Sequence, residues 1–280
     1  MIAAFGELLA RARQARTAVG AFTCYDLTTA LGVLRAAGAR DAGTILLVSE
    51  ASAREPDGPL LVSALAAVAS EARTRCCVQL DHTADPGVIE AALTAGAAAV
   101  MADGSRLPAA ENADLVRRVR AIAPAPAGIE AELGHVAGGE DVAVATAAGG
   151  LTDPDEAAAF VAEASPDCLA VSIGNVHGVY RDTPTLDWTR LARIREGLDG
   201  VPLSLHGASG LPDELVRRAV ELGVCKVNVN TEIRSRYLDE VARRLPHVRE
   251  GARLLELHRA VVDAVANVVS VKLELLEGKP

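Results

Sequence analysis

Eight short apolar runs alternate with amphipathic stretches from end to end of this chain, and that alternation restricts the fold more than any other feature. The runs are Ala18–Cys24, Thr44–Ser49, Val78–His82, Ala98–Met101, Gly128–Leu133, Leu169–Val176, Val201–Leu205 and Lys226–Asn230. Each is too short for a helix of ordinary length and reads as a buried strand. Between them, Thr28–Ala37, Pro59–Arg73, Pro86–Thr94, Pro108–Ile122 and Pro212–Leu222 read as helices, four of them opening on a proline where a first turn tolerates it. Asp153 before Pro154 marks another helix start, and the tail from Thr231 to about Glu277 is helical in pattern.

Strands separated one by one by helices imply a parallel sheet, and eight of them close most simply into a (β/α)8 TIM barrel with extra C-terminal helices. An open, doubly wound sheet is the alternative. No linker, low-complexity tract or repeat beyond the βα unit interrupts the pattern, so residues 1–280 read as a single domain. Hydrophobic residues make up 50% of the chain, enough to fill one full core. A net charge of -9 and 2% aromatics offer neither a basic stripe nor a stacking platform, which argues against a nucleic-acid partner. No apolar stretch is long enough to span a membrane, and Met1 to Arg16 has mixed charge and no apolar signal core; a cytoplasmic location is expected. The five cysteines lack metal-site or framework spacing and read as buried, reduced thiols.

Three of the runs end in histidine: His82, His177 and His206. In a parallel barrel all strand C-termini open into one mouth, so three imidazoles from strands three, six and seven would converge there. Three imidazoles and an open fourth position are a catalytic zinc arrangement rather than a structural one. His247 and His258, in the tail, read as surface residues; His135, after strand five, has no defined role. Asp81, beside His82, reads either as a carboxylate orienting an imidazole or as a general acid and base. Glu130 and Glu132 share a face of strand five, and two inward carboxylates require a cation nearby. Gly207-Ala-Ser-Gly210 and Asn228-Val-Asn-Thr231 follow strands seven and eight, where barrels commonly hold phosphate on backbone N–H groups. Lys226 is the only lysine in the barrel and is poorly placed for Schiff-base chemistry, so any carbonyl chemistry should run on a metal.

Six motifs in family order resemble the class II, metal-dependent fructose-bisphosphate aldolases and their tagatose-bisphosphate relatives. They are Leu80-Asp-His82, Met101-x-Asp-Gly-Ser105, Glu130-Ala-Glu-Leu-Gly134, Gly174-x-x-His-Gly-x-Tyr180, Leu205-His-Gly-Ala-Ser-Gly210 and Lys226-Val-Asn-Val-x-Thr-Glu232. The resemblance implies that His82, His177 and His206 bind a catalytic zinc ion, with Glu132 at an alternative metal position. It implies that Asp81 handles the proton on the hydroxyl of the bond being cleaved. Glu140 resembles the loop acid that takes a proton from bound dihydroxyacetone phosphate. Gly178, Gly207, Ala208, Ser209, Asn228, Val229, Asn230 and Thr231 correspond to contacts with that substrate, Gly178 and Gly207–Ser209 also to a monovalent cation, Na+ or K+, that seats its phosphate. Ser49, Arg181 and Arg259 correspond to positions that meet a second phosphate. A homodimer or homotetramer is implied as well.

The expected activity is therefore reversible cleavage of a ketose (bis)phosphate to dihydroxyacetone phosphate and an aldehyde. Three residues depart from the pattern: Thr23, where relatives carry Asn; Asn175, where they carry Thr; and Glu50, where they carry a neutral residue. An acid at position 50 would repel a phosphate dianion, which leaves a non-phosphorylated aldehyde partner open. A metal hydrolase and a non-catalytic sugar-phosphate-binding subunit are the other readings of the same barrel.

Overall fold

The computed structural model describes residues 2–138, 150–178, 180 and 183–278. Its sheet is a closed, all-parallel barrel in the order β1 to β8: Val19–Thr23, Thr44–Ser49, Cys76–Thr83, Ala99–Ala102, Gly128–Leu133, Cys168–Val171, Leu203–Leu205 and Val224–Val229. It is a (β/α)8 TIM barrel with C-terminal helices. The helices behind the strands are α2 (Leu27–Arg40), α3 (Glu50–Arg54), α4 (Gly58–Ser70), α5 (Pro86–Thr94), α6 (Ala109–Ile122), α7 (Pro154–Ala164), α8 (Trp188–Gly197) and α9 (Asp213–Glu221). They begin as the sequence dictates: Asp26, Asp85 and Asp153 each cap a helix by accepting backbone N–H groups of its first turn, beside Pro86 and Pro154 in the latter two.

The outer apolar layer packs strands against helices, while a second cluster fills the barrel base. There α1 (Phe5–Ala15) inserts Phe5, Leu8 and Leu9 among Val19, Ala21, Ile45, Leu47, Cys77, Ala99 and Cys168. The plug closes the bottom, and buried Asp81, Glu132 and His206 lie toward the mouth at the strand C-termini.

Several boundaries differ from the sequence reading. The stretch after β2 is two helices, not one. The tail is also two, α10 (Thr231–Arg249) and α11 (Leu254–Leu276), broken at Ala252 with φ +49. The sixth strand stops at Val171, so His177 stands on a loop rather than at a strand end. Gly174 at φ +109 turns the chain away from the sheet, and the Asn175 amide takes over the backbone partners a strand would have used. It accepts from Ile173 N–H at 2.8 Å and donates to the carbonyls of Val171 (3.3 Å) and His206 (3.1 Å). The last bond ties the His177 loop to the His206 strand end. All five cysteines are buried and free, and among the described residues no helix is long and apolar enough to cross a membrane.

Candidate active site

His82, the penultimate residue of β3, has its backbone in the left-handed region, φ +43, a conformation that costs a non-glycine residue about 1–2 kcal/mol. That local strain turns the chain over the mouth. His206 follows β7 directly, and Tyr180 fixes the loop around His177: its hydroxyl accepts from Val176 N–H at 2.9 Å and donates to the Gly207 carbonyl at 2.8 Å. The three rings meet at centroid separations of 5.1 Å (82–177), 4.7 Å (82–206) and 5.9 Å (177–206). One nitrogen from each lies within 4.8 Å of the others.

Two of the imidazoles have a carboxylate directly against them. His82 Nδ1 lies 2.8 Å from Asp103 Oδ2 and 3.8 Å from Glu132 Oε2, and its Nε2 lies 2.8 Å from His206 Nδ1. His206 Nε2 meets Glu130 Oε1 at 3.0 Å. Burial opposes a charge on His82, but Asp81, Asp103 and Glu132 together hold its pKa well above the ordinary value. Burial takes His206 the other way, to about 3. Burial would raise Asp103 too, yet the His82 contact keeps it well below the carboxylate range. His82 Nε2 and His206 Nδ1 thus face each other at 2.8 Å, in the place where a cation would be shared.

The donor set fits a divalent ion. Imidazoles and carboxylates are the ligands zinc takes, and the Glu132 Oε2 atom is buried without a hydrogen-bond partner. Burial and the neighbouring Asp103 charge raise Glu132 to about 8; a cation there would remove that penalty. His82, Asp103 and Glu132 form a second group with mutual ligand spacing, so Asp103, to which the sequence reading gave no role, joins the site. The signal was available: Asp103 follows the apolar run of strand four as Asp81 follows that of strand three. His135 also reaches the mouth, with Nδ1 at 3.3 Å from Ser105 Oγ and 4.0 Å from Glu132 Oε1.

Asp81 is buried, and Asn228 Nδ2 stands 3.3 and 3.2 Å from its two oxygens. A cavity of about 750 Å³ runs from His82, His177, Asp103 and Glu132 out to Ser49, Glu50, Arg54, Asp85 and Arg106. Beside it Gly178, Gly207, Ser209, Asn228, Asn230 and Thr231 line a small cradle against His177, at the N-terminus of α10. Ala208 and Val229 turn their side chains into the apolar layer. Ser49 faces the main cavity but its hydroxyl caps α3. Arg259 lies exposed on α11 and is not among the residues lining either cavity. Glu140 and Arg181 fall outside the described residues.

Set against known proteins, residues 3–279 match the family model for class II fructose-bisphosphate aldolase. The structure resembles the YdjI aldolase of Escherichia coli K12 at a TM-score of 0.87 and 29% identity, over 99% of this chain and 97% of that one. A Coccidioides immitis protein assigned as a fructose-1,6-bisphosphate aldolase matches at 0.89 and 32%, over 97% and 95%. The Campylobacter jejuni fructose-bisphosphate aldolase, at 0.80 and 19% over 98% and 95%, shares the fold.

Proposed function

The chain belongs to the class II fructose-bisphosphate aldolase family and is a lyase of that kind, and from that premise we propose that it reversibly cleaves a ketose (bis)phosphate to dihydroxyacetone phosphate and an aldehyde. The observation that carries this reading is the convergence of His82, His177 and His206 within 4.8 Å beside a glycine-lined cradle. In it, His82, His177 and His206 hold zinc, with Glu132 as an alternative ligand. A bound divalent ion supplies Lewis-acid stabilisation of the enediolate charge left by carbon–carbon cleavage.

Asp81 takes the proton from the C4 hydroxyl as the C3–C4 bond breaks, and returns it during condensation. The bonding pair passes into the enediolate, which Glu140 protonates to release dihydroxyacetone phosphate. Asn228 holds Asp81 with both oxygens accepting from its amide group. Gly178, Gly207–Ser209 and Asn228–Thr231 seat the phosphate at the positive end of α10, with Na+ or K+ beside it. Ser49, Arg181 and Arg259 are the groups proposed for a second phosphate. Residues 1–280 act as one domain, in a cytoplasmic homodimer or homotetramer.

Incubation with dihydroxyacetone phosphate and a panel of aldehydes, before and after chelation and zinc addition, tests the reading. A new ketose phosphate that disappears on chelation and returns with zinc is expected. Absence of any condensation product from zinc-loaded protein overturns it.

A further inference from the structure

Below the mouth, the fully buried side chains of Glu130, Lys226 and Gln79, to which the reaction gives no direct role, link His206 to Asn228 and Asp81. Glu130 Oε1 meets His206 Nε2 at 3.0 Å. Its other oxygen accepts from Lys226 Nζ at 2.8 Å and from Gln79 Nε2 at 2.5 Å. Lys226 Nζ also donates to Asn228 Oδ1 at 2.5 Å, and the Asn228 amide group then meets both oxygens of Asp81. Glu130 and Lys226 are 0% exposed, so bulk solvent does not compete for these partners.

An ammonium only donates and a carboxylate only accepts. The direction of every hydrogen bond along the chain therefore follows from the two charged residues at its centre. Towards strand seven, the acceptor Glu130 requires the proton on Nε2 of His206, which leaves the Nδ1 lone pair facing His82. Towards strand three, the donor Lys226 requires the carbonyl of Asn228, which turns the amide N–H groups to Asp81. We propose that Lys226 and Glu130 are a positioning pair that sets the tautomer of His206 and the amide orientation of Asn228, so that metal ligand and proton-handling carboxylate are aligned by one ion pair. The inference rests on the reading of His206 as a metal ligand.

The substitution Glu130→Gln tests it with almost no change of shape. Two donors, Lys226 and Gln79, face one end of the new amide, so its oxygen must turn to them and its NH2 to His206. That demands a lone pair on Nε2 and moves the ring proton to Nδ1, the atom facing His82. Zinc affinity, read by competition with a chromogenic chelator, should fall about 10- to 100-fold, the usual effect of removing such a partner. Adding Lys226→Met should restore most of that affinity. The new amide can then offer its oxygen to His206 and its NH2 to a rotated Gln79, whose Oε1 has no partner in the parent. Turnover should stay low in the double variant, since Asn228 has lost the group that orients it. Long-range proton–nitrogen spectra of metal-free parent protein give a readout that needs no variant: His206 should be the Nε2–H tautomer. The Nδ1–H tautomer in the parent, or parent-like zinc affinity in a folded Glu130→Gln, overturns the inference. Failure of the parent to bind zinc at all would instead strike the proposed function.

Discussion

The Glu50 carboxylate accepts the Thr83 hydroxyl at 2.7 Å, and the same oxygen lies 2.8 Å from a guanidinium nitrogen of Arg54. From sequence alone Glu50 was an uncompensated acid facing an anionic substrate. In the fold it is part of a small network in which Arg54 also meets Asp85 at 3.0 Å, while Arg106 stands on the cavity wall with no ion-pair partner among the described residues. The repulsion is reduced but not abolished, because one arginine is shared between two carboxylates.

Glu50→Gln should therefore favour phosphorylated over neutral aldehydes. The Glu50 side chain is 37% exposed, so solvent screens it, and a change of roughly 0.5–1 kcal/mol corresponds to about a 2- to 5-fold fall in KM for an anionic aldehyde. KM for a neutral aldehyde should stay constant. Equal effects on both would remove Glu50 from the discrimination.

Asp81→Asn keeps the shape of the side chain and removes its capacity to take a proton. Turnover should drop about 10²- to 10⁴-fold, the range for loss of a positioned general base. Zinc content, measured by atomic emission on purified protein, should be unchanged. Turnover within a few-fold of the parent would assign the proton to another group.

Removing the metal should reverse the usual response of stability to pH. In the chelated protein, burial and the Asp103 charge raise Glu132 to about 8, and His82, despite burial, is held well above 6.5 by the carboxylates around it. Both groups bind their protons more tightly folded than unfolded. Their contribution is complete below their unfolded values and is lost as pH rises through the folded ones. His206, lowered to about 3, works in the opposite sense, but only between that value and 6.5. Between pH 6.5 and 8 chelated protein should lose on the order of 1–2 kcal/mol through Glu132 in denaturant titrations, with His82 acting in the same direction. Glu132→Gln should flatten the slope, and zinc, which needs deprotonated ligands, should remove it. A chelated protein equally stable at both pH values would refute the assignment.

What the sequence disclosed of this site depended on how local each signal was. His82 and His206 were legible because each stands where a short, mainly apolar strand run stops. His177 was assigned to a strand because an apolar run looks the same whether its backbone partners come from a sheet or from one amide side chain, here Asn175. The plug helix had a readable stripe, Phe5, Leu8, Leu9 and Ala12 at helical spacing, hidden by the charged residues between them. The cation required by two inward carboxylates was anticipated, but its identity was not. Lys226 on β8 meets Glu130 on β5, strands that are not neighbours in the sheet, and no local pattern encodes a contact across a barrel.

The cradle gives the last test. Gly207 has φ +64, and a Cβ added there would lie 2.2 Å from the Val176 carbonyl oxygen and 2.6 Å from its carbon. Both obstacles are backbone, so no side chain can swing aside. The Val176 peptide leads directly into His177, and the Gly207 carbonyl holds the Tyr180 hydroxyl that closes this loop. Gly207→Ala should cost about 1–3 kcal/mol of stability through strain at a left-handed position. More tellingly, it should displace the His177 loop and the phosphate cradle together. Binding of dihydroxyacetone phosphate by calorimetry should weaken by roughly tenfold or more, the equivalent of about 1.4 kcal/mol, and zinc affinity should fall with it. Weakened substrate binding with intact zinc affinity would mean that the cradle and the metal ligands are held independently, against the shared loop that the geometry describes.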